Sequence, residues 1–308
     1  MGKGKTATLF KELGRNKTLL LMIMPFVIHL IIFRYVPIWG WIMAFQDYNP
    51  LKGVSGSEFV GLKHFKALFS EPLFLKVIRN TLAISTIKLV LGTSTSLFLA
   101  ILLNETRNKY FKSITQTITS LPHFISWVVT ASLVREMLST DGGMVNEFLM
   151  FIKVIDKPIL WLGVQKYFWW LMGWTNVWKE IGWGAIIYLA AMTGIDSQLY
   201  EAAKIDGASR IQRIIHVTIP GIKATFLILL IMNIGYMLNA GYEQMFLLKS
   251  GLTQDVAQVF ELFAIEWGLN KLRYSFAAAS GIFASVVSII LITVTNKISH
   301  KLGETALF

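Results

Sequence analysis

The sequence predicts an all-α, polytopic membrane protein with six transmembrane helices and both termini on the cytoplasmic side. Three observations carry this. First, 54% of the 308 residues are hydrophobic and the mean hydropathy is +0.57, too apolar for a soluble domain. Second, charged residues make up only 15% and gather between apolar runs. Third, the runs are long enough for helices, at about 1.5 Å per residue, to cross a hydrocarbon layer of about 30 Å.

The N-terminal segment, residues 1–17, is basic, with Lys3, Lys5, Lys11, Arg15 and Lys17 against Glu12. Gly4-Lys5-Thr6 looks like the end of a phosphate loop and Gly2 with Thr6 fits a myristoylation pattern, but neither has its structural context. The first span begins at Thr18, reaches about Phe33 and continues after a bend at Pro37 to Phe45. No small-residue cleavage site follows it, so it reads as an uncleaved span rather than a signal peptide. With the polar connection Gln46 to Lys76 it forms an 18–76 region. The second span, Val77 to Leu103, carries Ser85, Thr86, Thr93, Ser94, Thr95 and Ser96, small polar residues suited to helix contacts. Lys88 is a charge inside it, either functional or simply facing another helix or snorkelling. The third span, Ser113 to Val134, contains Pro122 and is expected to bend there. The fourth, Tyr167 to Met192, is rich in tryptophan. Trp174 and Trp178 share one face, where they either stack on a ligand ring or fill helix contacts. The fifth, Ile222 to Leu238, brings Asn233 and Tyr236, followed by Asn239 and Gln244. These are neutral donors and acceptors for hydroxyl-rich ligands or for neighbouring helices. The sixth, Ser275 to Thr295, opens on Ala277-Ala-Ala-Ser-Gly281, small residues that permit close packing. The five spans from 77 to 296 form one core, and 297–308 is a short tail with Lys297 and Lys301.

The net charge of +11 could suggest nucleic acid. The basic residues sit at the ends of apolar spans instead, and positive-inside bias explains them. Segments 1–17, 104–112, 194–223 and 297–308 each carry more basic than acidic residues, which places both ends and the 194–223 loop in the cytoplasm. With no cysteine there is no disulfide or zinc-thiolate site, and the five histidines are scattered without ligand spacing. No metal site and no catalytic constellation stands out.

The loop before the fifth span is polar and rich in small residues. Glu201-Ala202-Ala203 is expected to open a helix, Asp206-Gly207-Ala208 to turn it sharply, and Pro220 to mark entry to the next span. The bland reading is an ordinary cytoplasmic loop. Yet Glu201-Ala202-Ala203, then Asp206-Gly207-Ala208, then Pro220 resembles the EAA loop of binding-protein-dependent ABC importer permeases. The likeness is greatest to the sugar branch with the type I, maltose-permease-like fold, and within it to oligosaccharide and polysaccharide-fragment permeases. Phe59-Val-Gly-Leu-Lys-His-Phe65 before Asn80-Thr81, and Gly241-Tyr-Glu-Gln-Met-Phe246, resemble the same group. Ile214 departs from the aromatic many members carry, but stays apolar.

The resemblance implies a multi-pass permease subunit in a bacterial plasma (inner) membrane, not an enzyme. It implies a second, homologous permease subunit, two ATPase subunits and an extracytoplasmic solute-binding protein, with no nucleic-acid partner. ATP and Mg would be bound by the ATPase, and no cofactor by this chain. The 194–221 loop would couple the ATPase to transport through Glu201, Ala202, Ala203, Asp206, Gly207, Ala208 and Pro220. Trp174, Trp178, Asn233, Tyr236, Asn239 and Gln244 are the candidate sugar path. The rival is an ion-coupled secondary transporter using Lys88 and Glu180. A membrane enzyme would need acid or base groups clustered at one depth, and none is evident.

Overall fold

The computed structural model describes residues 17–301. The basic N-terminal segment with its two false motifs, apart from Lys17, and the end of the tail lie outside these residues. The described chain is almost wholly helical, with one two-stranded antiparallel ribbon pairing β1 (Gln46–Asp47) and β2 (Glu58–Phe59).

The described residues form two compact units, one of residues 17–69 and 267–282, the other of residues 70–266 and 283–301. In the first, α1 (Lys17–Leu30) continues through a π-helical turn, Ile31–Tyr35, into a 3-10 stretch, Val36–Phe45. Lys17–Phe45 is thus one apolar rod of 29 residues with none of its most apolar window buried. Its bare surface is what lipid would cover. Pro37 does not break it. Proline lacks an N–H and its ring crowds the carbonyl one turn back. The wider turn just upstream, where the Val36 N–H donates to Ile31 O, opens that room. Beyond the ribbon comes α2 (Lys63–Phe69). Lys63 Nζ donates to Asp47 Oδ2 at 2.5 Å and holds that carboxyl below its ordinary pKa. Ser275 Oγ accepts from the Tyr48 N–H at 2.9 Å and donates to Gln46 O at 2.6 Å, which ties the ribbon to residue 275.

The second unit is built on α3 (Phe74–Glu105). After it come α4 (Lys109–Ser120), a 3-10 turn Leu121–Phe124, α5 (Trp127–Met137) and α6 (Met144–Phe151). Then follow α7 (Gln165–Thr193), α8 (Ser197–Ile205), α9 (Arg210–Arg213), α10 (Ile219–Gly235), α11 (Tyr242–Leu248) and α12 (Phe260–Ile265). The last helix, α13 (Tyr274–Lys301), starts in the first unit and ends in the second.

The expected bend at Pro122 is a full break. α4 and α5 meet at 104°, so the third span is two helices rather than one. A break strands backbone carbonyls, which are costly to leave unbonded away from water. Lys179 of α7 resolves this. Its buried ammonium donates to Pro122 O at 3.2 Å and to His123 O and Ile125 O at 2.7 Å each. Gly182, one turn along, lets the α4 backbone approach α7 so closely that a Cβ there would sit 2.2 Å from Thr119 O.

Among the described residues, four stretches can cross a membrane by length and composition: Lys17–Phe45, Phe74–Glu105, Arg210–Gly235 and Tyr274–Lys301. The broken α4/α5 pair makes a fifth if it crosses as one. α7 is 29 residues long but lies outside that set, because Asn176, Lys179 and Glu180 interrupt its apolar run.

Two apolar clusters hold α3 and α7 together. One joins Ile84, Phe168, Met172, Met245 and Leu262. The other joins Ala100, Leu103, Ala185, Tyr188, Leu189 and Ile222 beside the 194–223 loop. Along α3 the polar stretch 85–96 lies between them, so the site is bracketed by two apolar seals.

Candidate functional site

Two features stand apart from ordinary packing, a polar cavity and a projecting loop. The cavity, about 430 Å³, is lined from α3 by Ser85, Lys88, Gly92, Thr93 and Ser96. That spacing of three and four keeps one helix face toward it over about 16 Å, eleven rises of about 1.5 Å. α7 contributes Asn176, Glu180, Trp183 and Ile187, again one face at helical spacing. α10 and the turn after it contribute Asn233, Tyr236 and Asn239.

Of the six predicted path residues, the structure brings Asn233, Tyr236 and Asn239 together in this cavity. It does not bring the others. Trp174 and Trp178 sit on another face of α7 and are 54% and 44% exposed. Gln244 is fully buried, and its Nε2 donates to Met172 O at 2.9 Å, the interhelical bond that was its bland reading. Sequence reasoning left out Asn176 and Trp183 as path residues and used Glu180 only for the rival reading. The signal was available, because residues 176, 180, 183 and 187 recur at helical spacing. It was hidden by the tryptophans on the neighbouring face.

The charges in the cavity are held differently. Glu180 Oε2 shares a 2.7 Å hydrogen bond with His123 Nδ1, and Glu180 Oε1 lies 4.0 Å from Lys179 Nζ. His123 in turn stacks on Trp183, ring centres 4.5 Å apart and planes 4° from parallel. Lys88 Nζ donates to Ala240 O at 2.6 Å. That carbonyl is near the end of the turn between α10 and α11, whose first N–H groups, on Gly241 and Tyr242, donate to Glu261 Oε2. A cation near stranded carbonyls and an anion at a helix start both suit the local dipoles.

The projecting loop begins at α8. Asp196 caps it by accepting from the Gln198 N–H, so the helix starts four residues before Glu201, which lies within it rather than opening it. α8 ends where Ala208 N donates to Ala203 O and Gly207 N to Lys204 O, the paired bonds of a Schellman stop. Gly207 has φ +75°, the left-handed geometry that glycine tolerates. Ser209 and Gln212 then form a capping box that starts α9. From Arg210 the helix runs unbroken to Gly235 through a π-turn, Ile214–Thr218, just ahead of Pro220. Pro220 is therefore inside the span, accommodated as Pro37 is.

Two contacts fasten α8 to that span. Tyr200 Oη and the buried Thr218 Oγ1 share a 3.0 Å hydrogen bond. The Ile195 side chain fills the space a Cβ on Gly221 would take. On its other side the loop is bare. Ile205 is 87% exposed and Leu199 55%, with Glu201, Ala202, Asp206 and Gly207 exposed beside them. A helix anchored on one side and apolar on an exposed side is a surface built to be covered. Among the described residues, no group of histidine, aspartate and glutamate has the arrangement to hold a metal ion.

Comparison with known proteins agrees with this geometry. The family model described as "Binding-protein-dependent transport system inner membrane component" matches residues 92–302. The chain is 41% identical over 306 residues to the polygalacturonan/rhamnogalacturonan transport system permease protein YteP of Bacillus subtilis (strain 168), covering 99% of this chain and 95% of that one. It is 38% identical to Protein LplB of the same organism over 99% and 95% of the two chains. Among solved structures it is similar to a chain of a bacterial alginate ABC transporter in complex with an alginate pentasaccharide-bound periplasmic protein. That match has a TM-score of 0.87 and 36% identity, and covers 97% of this chain and 99% of the other.

Proposed function

Since this chain belongs to the family of binding-protein-dependent transport system inner membrane components, we propose that it is a sugar-conducting permease subunit of an ATP-driven oligosaccharide importer in a bacterial inner membrane. The observation that carries the reading is the pairing of a polar, aromatic-edged cavity with a loop anchored to one of the helices that line it. The oligosaccharide class is supported by the names of the relatives, which concern polysaccharide transport and alginate import.

In this reading the chain has six spans: Lys17–Phe45, Phe74–Glu105, the broken α4/α5 pair, α7, Arg210–Gly235 and α13. An even number puts both termini on one side, and the basic bias of the loops makes that side cytoplasmic. The region 77–296 is the conducting core, with the coupling loop at 194–221 inside it. A second, homologous permease subunit completes the path. Two ATPase subunits bind ATP and Mg, and a solute-binding protein delivers sugar from outside. Glu201, Ala202, Ala203, Asp206, Gly207 and Ala208 lie in a groove of one ATPase.

ATPase closure then pulls on α8. The Tyr200–Thr218 bond and the Ile195–Gly221 contact carry the displacement into the helix that contains Pro220 and brings Asn233 to the cavity. The two permeases rock between outward and inward openings. Trp183, held flat by His123, offers an aromatic surface to a sugar ring, and Asn176, Asn233, Tyr236 and Asn239 offer bonds to its hydroxyls. Trp174 and Trp178 reach the sugar only from a surface shared with the second permease, and Gln244 acts by fixing α11 to α7.

The ion-coupled alternative rests on Lys88 and Glu180. Glu180, the acidic group that reading needs, is engaged with His123 and lies 4.0 Å from Lys179 Nζ, so it is not poised as an exchanging cation site. The two are separated by uptake into proteoliposomes containing the copurified complex and its binding protein. Accumulation of labelled oligosaccharide is expected to require ATP and to persist when ionophores collapse every ion gradient. Accumulation that stops with the gradient and ignores ATP would return the alternative.

A further inference from the structure

Two lysines on the long helices of the second unit, Lys88 and Lys179, differ in how their ammonium groups are satisfied. An ammonium has three N–H donors and no acceptor. Lys179 spends its three on three carbonyls. Lys88 bonds one acceptor, Ala240 O. Among the described residues no carboxylate lies within ion-pair distance of Lys88; Glu180 is taken by His123, and Glu261 by two backbone N–H groups. A charge held away from bulk water with unfilled donors calls for a counter-charge.

One turn away on the same face of α3 lies Ser85. It is 8% exposed, it lines the cavity, and its Oγ has no hydrogen-bond partner in the chain. The cavity wall therefore offers an under-satisfied cation beside an idle hydroxyl. Of its other polar groups, Asn176, Asn233, Tyr236 and Asn239 are neutral, and the Glu180 carboxylate is engaged by His123 and lies 4.0 Å from Lys179 Nζ. The N–H donors that Lys88 has left and the Ser85 hydroxyl, one turn apart on α3, match the two oxygens of a carboxylate.

Resting on the reading of this cavity as the sugar path, we propose that Lys88 and Ser85 form a subsite for the carboxylate of a uronic acid unit, which makes the permease selective for acidic oligosaccharides over neutral ones. The remaining bond from Lys88 to Ala240 O holds the ammonium in place while the site is empty.

The test uses the complex that copurifies with the chain, placed in lipid nanodiscs without the solute-binding protein so that only the permease site is read. Trigalacturonic acid and the neutral trisaccharide made by reducing its carboxyl groups are titrated by saturation-transfer NMR. The wild type is expected to bind the acidic sugar at least about tenfold more tightly, about 1.4 kcal/mol. Lys88→Gln keeps an N–H for Ala240 O and removes the charge. It should lose that tenfold preference while its affinity for the neutral sugar stays within about twofold. Lys88→Gln binding trigalacturonic acid like the wild type, or losing both sugars equally, would overturn the assignment. So would a wild type that does not distinguish the two sugars. A wild type that binds neither brings down the sugar reading and this assignment with it.

Discussion

Replacing Gly207 with tryptophan is expected to abolish sugar uptake while the protein still inserts in the membrane. Among the described residues, nothing crowds Gly207. A Cβ built there meets no atom within 4 Å, so a larger side chain has room in the free subunit. Its φ of +75° costs a non-glycine residue about 1–2 kcal/mol, and that strain is confined to one exposed turn. Only a partner surface pressed against the turn can feel the bulk. Uptake is expected to fall by about 100-fold or more, a loss of at least about 2.7 kcal/mol. Gly207→Ala, which carries the same strain without the bulk, is expected to retain most of it. Radiolabelled uptake beside the amount of chain in the membrane fraction reads both. Normal uptake in the tryptophan variant would mean that no partner covers this loop.

The second large effect is expected at Lys179. Its ammonium is the shared partner of Pro122 O, His123 O and Ile125 O where the α4/α5 pair breaks. Lys179→Met keeps the length and apolar stem but strands His123 O and Ile125 O, while Pro122 O keeps the Ile125 N–H. With about 1–3 kcal/mol for each buried group left unbonded, the loss is about 2 kcal/mol or more. The variant should accumulate poorly and melt well below the wild type in detergent. Lys88→Gln, which puts one bond at stake rather than three, should melt closer to the wild type. Equal melting of Lys179→Met and the wild type would show that other groups hold the break.

This contrast between the lysines also marks how far the sequence could be read. Apolar runs predicted the second and fourth long helices to within about three residues, since their pattern reflects the solvent around them, whereas the fifth helix begins at Arg210, well before Ile222, and the last runs past Thr295 to Lys301. The EAA-like stretch was legible because a left-handed glycine and small residues leave a local trace. Gly207 terminates α8 as the Asp206-Gly207 pair predicted. The start of that helix was misjudged, because the acidic Glu201 drew attention from Asp196, whose side chain caps it.

What depends on distant partners was not legible. Pro122 is compatible with a bent or a broken helix, and the answer lies in Lys179, 57 residues away. Pro37 and Pro220 remain inside their helices because a π-turn precedes each, and local composition does not announce a change of hydrogen-bond pattern. The tryptophans of α7 drew the sugar path toward Trp174 and Trp178. The cavity face of the same helix carries Asn176, Glu180 and Trp183, and α3 and α10 select that face by packing against it. Helical spacing defines the faces, but only tertiary contacts say which one looks inward.

The central claim is that this chain conducts sugar under the control of a separate ATPase. Gentle detergent purification of the tagged chain from its native membrane, followed by identification of what comes with it and an ATP hydrolysis assay, tests it most directly. The account predicts a second polytopic permease and an ATPase in the complex, with hydrolysis raised by the sugar-loaded binding protein and not by the empty one. A lone chain or homo-oligomer that is stable and still transports when reconstituted would contradict it.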